Sequence, residues 1–111
     1  MPGHKLIQVV AAESTPEKDA KFEKWYTEIH IPMLFQYQGV KQVSRYRLKG
    51  DDKQCARYMT IYEFDNEEDL AAFPKSQAFA DAVADFEDKK EAVGFISRWA
   101  AVYERIKSWE K

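Results

Sequence analysis

A chain of 111 residues has the length of one domain, and we expect residues 1–111 to form a single one. Hydrophobic residues make up 45% and charged residues 32%, a balance that excludes a disordered chain. The 17 Lys and Arg residues against 19 Asp and Glu give a net charge of −2, which argues against nucleic-acid binding. The sequence shows no apolar run long enough for a membrane span, no signal peptide and a lone cysteine, so we expect a cytoplasmic protein.

The first half of the sequence predicts a strand followed by a helix. Residues 5–12 form a short apolar run rich in β-branched side chains, which is typical of a strand. Residues 14–17 then offer a hydroxyl cap, a proline and an acid, which together indicate a helix start. Pro32 has no backbone N–H, so the helix should end or kink there. Apolar residues at helical spacing give this helix one buried stripe: Phe22, Trp25, Tyr26, Ile29 and Met33.

The second half predicts a hairpin, a broken helix and a last strand. The hairpin pairs residues 40–48 with residues 54–64 across a turn at 50–52. The helical region begins at residues 65–68, breaks at Pro74 and restarts at Ser76, and residues 95–106 form the last strand. The order β-α-β-β-α-β predicts an α+β, ferredoxin-like protomer with a four-stranded antiparallel sheet and two helices on one face.

The strands carry apolar or aromatic side chains on both faces, although two helices cover only one face. We expect Tyr46, Tyr58 and Tyr62 to share one face, and Trp99 to extend an aromatic set on the last strand. An uncovered apolar face of this size favours a partner, and a second copy related by a twofold axis would close the sheets into a barrel around a ligand-sized cavity.

Several segments of the sequence resemble the EthD-like group of dimeric α+β barrel proteins. The strongest is FEKWYTEIHIP at residues 22–32, which is similar to a family pattern of the kind F-N-x-W-Y-x-x-x-H-x-P. Gly39 and Val40, RYR at residues 45–47 and IYEF at residues 61–64 match later family elements. The resemblance implies a dimeric barrel. Its superfamily includes cofactor-free monooxygenases, cyclases, isomerases and haem-handling enzymes, so it supports the fold more strongly than any one reaction.

His30 is the leading candidate for a catalytic group. It lies four residues after Tyr26, so both side chains share one helix face. We expect the helix end at Pro32 to favour the protonated imidazole and to hold its pKa near neutrality, where it can exchange protons. Tyr26 or Tyr62 would orient or polarise a substrate oxygen. The alternative is a structural histidine that binds the carbonyls freed by Pro32.

Aromatic side chains are candidates for binding a planar ligand by stacking and by phenol hydrogen bonds. We place Trp99, Tyr58, Tyr46 and Trp25 in this group, with Gln42 as a polar contact. The alternative is that these residues only pack the dimer interface, where Tyr and Trp are enriched. The arginines of the hairpin could bind a carboxylate, although cross-strand pairing with Glu63 and Glu104 is the simpler interpretation.

These features predict a homodimeric enzyme that uses acid/base chemistry without an organic cofactor. It would act as an isomerase, a lyase or cyclase, or a cofactor-free oxygenase on a small hydrophobic, aromatic or polyketide-like substrate. A second hypothesis is a non-catalytic protein that binds such a ligand or assists a catabolic pathway. A third is haem or metal handling, but His4 and His30 lack the spacing of a metal site, and we expect no metal ligand set.

Overall fold

A computed structural model describes residues 5–111, which form a four-stranded antiparallel sheet with a layer of helices on one face. The strand order is β2-β3-β1-β4, so the predicted ferredoxin-like fold is confirmed. Within these residues, no helix has both the length and the apolar character that a bilayer span needs. The elements in chain order are β1 (Leu6–Glu13), α1 (Asp19–Trp25), α2 (Ile31–Leu34), β2 (Val40–Arg47), β3 (Tyr58–Phe64), α3 (Glu67–Ala72), α4 (Gln77–Val93) and β4 (Ile96–Glu104).

The first helical region runs past the proline that was expected to end it. A π-helical turn, Tyr26–His30, joins α1 to α2, and the backbone N–H of Ile31 donates to the carbonyl of Tyr26 five residues earlier. Pro32 lies in the first turn of α2, where a missing N–H costs little. The wide turn therefore absorbs the proline. Of the two outcomes expected at Pro32, an end or a kink, the end is wrong, because the helix continues to Leu34. Isolated π turns of this kind occur frequently at functional sites.

Side-chain caps fix the start of the second helical region as the sequence predicts. The Asn66 side chain accepts a hydrogen bond from the backbone N–H of Asp69 at the start of α3. Ser76 accepts one from the N–H of Phe79 at the start of α4. Thr15, in contrast, occupies the cap position before the first helical turn but makes no capping hydrogen bond. Its hydroxyl oxygen is buried without a partner in the described part of the chain.

Two apolar clusters fill the space between the sheet and the helices. One contains Leu34, Tyr62, Phe64 and Phe73. The other contains Phe22, Trp25, Tyr26, Tyr58 and Val93. Burial of these large side chains is the main favourable contribution to folding of the protomer.

The pairing of β2 with β3 decides which tyrosines lie under the helices. Directly paired residues in adjacent strands point to the same face of a sheet. Tyr58 and Tyr62 of β3 are only 4% and 3% exposed and lie beneath the helices. Tyr46 pairs with Met59 and therefore points to the opposite face. The prediction that these three tyrosines share one face is wrong, because the hairpin register places Tyr46 out of step with the other two.

The face of the sheet away from the helices remains apolar without Tyr58 and Tyr62. Tyr46, Trp99 and Tyr103 are about half exposed on this open face. The strand registers place the following apolar residues on it: Ile7, Val9, Ala11, Tyr46, Met59, Ile61, Trp99, Ala101 and Tyr103. A surface of this composition is typical of one that contacts another protein.

The two hydroxyl-bearing residues at helix starts provide a matched test of capping. We expect Ser76→Ala to lower the free energy of unfolding by about 1 kcal/mol, because a capping hydrogen bond is lost. Thr15→Ala removes a hydroxyl that makes no capping bond, so its cost should be smaller or absent. Urea unfolding of the two variants measures the difference. An equal loss in both would contradict the assignment of Ser76 as the cap.

Candidate functional site

A cavity of about 200 Å³ lies between the sheet and the helices, on the buried side of the protomer. Strands β1 and β3 form its floor, and the π turn and α4 form its walls. Its polar groups come from Gln8, Tyr26, His30 and Tyr62. The remaining lining is apolar: Val10, Leu34, Phe73, Phe79, Ala82, Val83, Phe86 and Phe95. A cavity of this type, with a few polar groups in an apolar wall, is the usual form of a small-molecule site.

The His30 ring is held between aromatic side chains. It stacks on Trp25, with ring centroids 4.8 Å apart and an angle of 26° between the planes. Tyr26 meets it edge to face at 4.9 Å. Trp25 is itself fixed, because its indole N–H donates to a carboxylate oxygen of Asp85 over 2.8 Å. These contacts leave Nδ1 of His30 buried and without a hydrogen-bond partner among residues 5–111.

Burial makes the imidazole of His30 neutral at neutral pH. Loss of hydration lowers its pKa from the usual 6.5 to about 4, and the positive charge of Arg45 acts in the same direction. The Asp85 carboxylate on α4 opposes the shift without cancelling it. The expectation of a protonated His30 is therefore wrong. The helix does not end beside this residue, and desolvation outweighs the remaining attraction. A neutral imidazole with a free nitrogen can accept a proton from a bound molecule.

The hydroxyl groups of Tyr26 and Tyr62 meet within the same cavity. Burial raises the pKa of both phenols, and that of Tyr62 is raised well above its ordinary value. Hydrogen bonds from Thr60 and Tyr62 to the Tyr26 hydroxyl favour its ionised form and so oppose the rise at Tyr26. The two phenols are thus unequal, and Tyr26 is the better proton donor. The predicted catalytic set of His30, Tyr26 and Tyr62 is brought together by the fold.

Arg45 supports this group from below, and the sequence did not single it out for that role. Its guanidinium lies 4.1 Å from the centroid of the Tyr26 ring and 5.0 Å from that of Tyr58. Its Nε donates to the Thr60 hydroxyl over 3.3 Å, and Nη1 donates to the Glu23 carboxylate over 2.6 Å. The expected pairing of the hairpin arginines with Glu63 and Glu104 is not found here, because Arg45 points to the helices and meets Glu23 of α1 instead.

The residues proposed for ligand stacking are divided between the two sides of the sheet. Tyr46 and Trp99 lie on the open face, where they border a pocket of about 480 Å³ near Met59. Gln42 is exposed on β2 and does not line the cavity. The expectation that these three residues form one binding site with the buried tyrosines is wrong, because the sheet separates them.

Tyr58 and Trp25 lie on the helix side but outside the cavity lining. The Tyr58 hydroxyl donates to the Asp19 carboxylate over 3.0 Å, and its ring packs against Phe22. Trp25 acts on the cavity through its stacking with His30. The residues that the sequence missed in the lining are mostly apolar, such as Phe79 and Phe86, and their helical spacing is that of ordinary core positions.

Residues 5–111 contain no cluster of three or more His, Cys, Asp or Glu side chains that could hold a metal ion. His4, which was considered with His30 as a metal ligand, lies outside the described residues.

Solved structures with this fold come from several bacteria. HapK from Hahella chejuensis has a TM-score of 0.70 and 13% identity, over 96% of this chain and 97% of that one. An ethyl tert-butyl ether D (EthD) family protein from Bacillus halodurans has a TM-score of 0.65 and 14% identity, over 93% and 99%. SnoaB from Streptomyces nogalater, a cofactor-independent oxygenase, has a TM-score of 0.64 and 9% identity, over the whole of both chains.

Two further similar structures are described as dimeric proteins with a ferredoxin-like fold. These likenesses confirm, at the level of fold, the resemblance to the EthD-like group of dimeric α+β barrels. No curated protein matches the sequence.

A family model described as a domain of unknown function, DUF4286, matches residues 6–95, which include the cavity and its polar groups. The chain belongs to the DUF4286 family.

Proposed function

We propose that this protein is a homodimeric enzyme that performs acid/base chemistry on a small hydrophobic molecule, without an organic cofactor. The site is the cavity between the sheet and the helices, one in each protomer. The reaction belongs to the class that begins by removing a proton from carbon, as isomerases, lyases, cyclases and cofactor-free oxygenases do. The fold it shares with a cofactor-independent oxygenase supports this class without identifying the reaction.

One observation carries the proposal. One small apolar cavity is lined both by a neutral histidine, whose Nδ1 has no partner among residues 5–111, and by the phenol of Tyr26. A buried polar atom without a partner costs free energy, so its retention in the site indicates that a ligand supplies the missing contact. A histidine that served only to bind the helix carbonyls would have that nitrogen satisfied.

The arrangement suits the enolisation of a ketone. His30 takes a proton from the carbon beside the carbonyl, while Tyr26 gives its hydroxyl proton to the carbonyl oxygen. The substrate becomes a neutral enol, the imidazole becomes imidazolium and the phenol becomes phenolate. Reversal of both transfers restores the protein. Tyr62 donates to the Tyr26 oxygen and stabilises its negative charge.

The size and lining of the cavity limit the substrate. A volume of about 200 Å³ is smaller than the pockets that hold drug-sized ligands, so the substrate has one or two rings. Gln8 provides an additional polar contact on the sheet. The lining brings no carboxylate or ammonium group into the cavity, which favours an uncharged molecule.

Exchange of carbon-bound hydrogen tests the proposed chemistry directly. The two-ring ketone 2-tetralone has acidic hydrogens beside its carbonyl, and proton NMR in D₂O follows their replacement by deuterium. We expect the protein to accelerate this exchange and His30→Gln to reduce the acceleration by roughly 100-fold or more, since the base is removed. Glu28→Gln, an exposed change on the same π turn, is the matched control and should leave the rate unchanged.

Binding of 2-naphthol, followed by its fluorescence, separates catalysis from simple ligand binding. Tight binding to the wild type and to His30→Gln alike, with no exchange of 2-tetralone by the wild type, would support a ligand-binding protein instead. Exchange that survives in His30→Gln would contradict the role of His30.

The buried imidazole also makes stability depend on pH. His30 binds a proton in the unfolded chain below about pH 6.5 but in the folded protein only near pH 4. Because the unfolded state takes up more protons between these values, stability falls as the pH falls through this window. We expect the wild type to lose more stability between about pH 7 and about pH 5 than His30→Gln does, as measured by urea unfolding. Equal losses would show that the folded imidazole titrates normally.

The open face supports a homodimer in which the two sheets face one another. Trp99 is 44% exposed on this face, and Ile29 is 43% exposed on the helical side. We expect Trp99→Lys to convert the dimer into a monomer in light scattering, because a buried charge at the interface would be unpaired. Ile29→Lys, matched in exposure, should leave the dimer intact. A wild type that is monomeric at tens of micromolar would contradict the dimer.

A further inference from the structure

The guanidinium of Arg45 contacts the ring of Tyr26, a residue of the cavity lining, and the proposed reaction does not use its charge. Its side chain is only 13% exposed, although it stands on β2 at the edge of the sheet. Three different contacts fix its orientation: the Glu23 carboxylate, the Thr27 hydroxyl at 3.1 Å and the Thr60 hydroxyl. Its remaining terminal nitrogen, Nη2, is buried without a partner in the described chain.

An arginine that served only as an ion-pair partner would not need this position. Ion pairs at the surface form readily with the guanidinium in contact with water, as Arg98 of β4 and Glu13 of β1 illustrate with an arginine side chain 29% exposed. Arg45 is instead held under the ring of Tyr26, where its charge acts on the phenol through a medium with little water.

The direction of the hydrogen bonds follows from the chemistry of the groups. Arginine can only donate, so Thr60 must accept from Nε of Arg45. Thr60 therefore helps to hold the guanidinium in place beneath the ring of Tyr26, 4.1 Å from the ring centroid. The positive charge there favours the ionised form of the phenol.

We propose that Arg45 is a positioning residue for the proton donor: its charge, held beneath the ring of Tyr26 in part by Thr60, favours release of the phenol proton to a molecule in the cavity. This inference rests on the proposed function, because Tyr26 acts there as the acid. Arg45 does not line the cavity, so it acts on a bound molecule through Tyr26.

Two variants test the effect of Arg45 on Tyr26. Arg45→Met removes the charge and the donor but keeps a long side chain, and Thr60→Val removes the hydroxyl while keeping the shape. We expect each to lower kcat for 2-tetralone exchange roughly tenfold with KM little changed, since the ground-state contacts in the cavity remain. The double variant should be no slower than the slower single variant, because both changes weaken the same effect of Arg45 on Tyr26. Arg47→Met, on the same strand and exposed, is the matched control and should leave kcat unchanged.

A spectroscopic measurement tests the effect of Arg45 on Tyr26 without any substrate. Tyrosine labelled with ¹³C at Cζ reports the ionisation and hydrogen bonding of Tyr26. We expect the Tyr26 signal to titrate at higher pH in Arg45→Met and Thr60→Val than in the wild type, and at the wild-type pH in Arg47→Met. Tyr26 signals that do not change in folded Arg45→Met and Thr60→Val would overturn the inference. If the Tyr26 signal shifts in these variants but the protein fails to exchange 2-tetralone, the effect of Arg45 on Tyr26 is supported and only the proposed reaction is refuted.

Discussion

The face of the sheet beneath the helices carries buried polar groups. The hydrogen bonds that these groups require determine how the site is arranged. Tyr62 and Thr60 on β3, Arg45 on β2 and Tyr26 on the π turn form one connected group beneath the helices. A hydroxyl or a guanidinium in such a place destabilises the protein unless it is bonded. The strand register must therefore bring these side chains together. A shift of β3 by one residue would turn Thr60 out of the group, and the same shift of β2 would turn Arg45 towards solvent.

The sheet separates two surfaces of different composition. One face of the sheet, together with the helices, encloses a small cavity lined by a neutral imidazole and the Tyr26 phenol. The other face is apolar and open, and Trp99 and Tyr46 belong to it. The proposed chemistry inside the protomer and the proposed association on its outside therefore use different side chains, because the sheet lies between them. Successive positions of one strand belong to the two faces in alternation.

The order of elements was predictable because its signals are local. Ser76 and Asn66 cap helices as their residue types indicate, and the i, i+4 spacing placed Tyr26 beside His30. The face of each tyrosine was not predictable, since it depends on how β2 and β3 align across the loop that joins them. The turn at Tyr26–His30 also escaped prediction, because α and π turns share the same apolar spacing over so few residues. The protonation state of His30 was predicted wrongly for a different reason. It follows from burial among aromatic rings, which the sequence does not show.

The position at which a small aromatic molecule binds distinguishes the inner cavity from the open face. A crystal structure of the protein with 2-naphthol shows that position directly. We expect density for the two rings between the sheet and the helices, with the naphthol oxygen within hydrogen-bond distance of Tyr26 or of the His30 ring. A molecule seated instead on the open face, against Trp99 and Tyr46, with the inner cavity unoccupied at saturating ligand, would contradict this expectation.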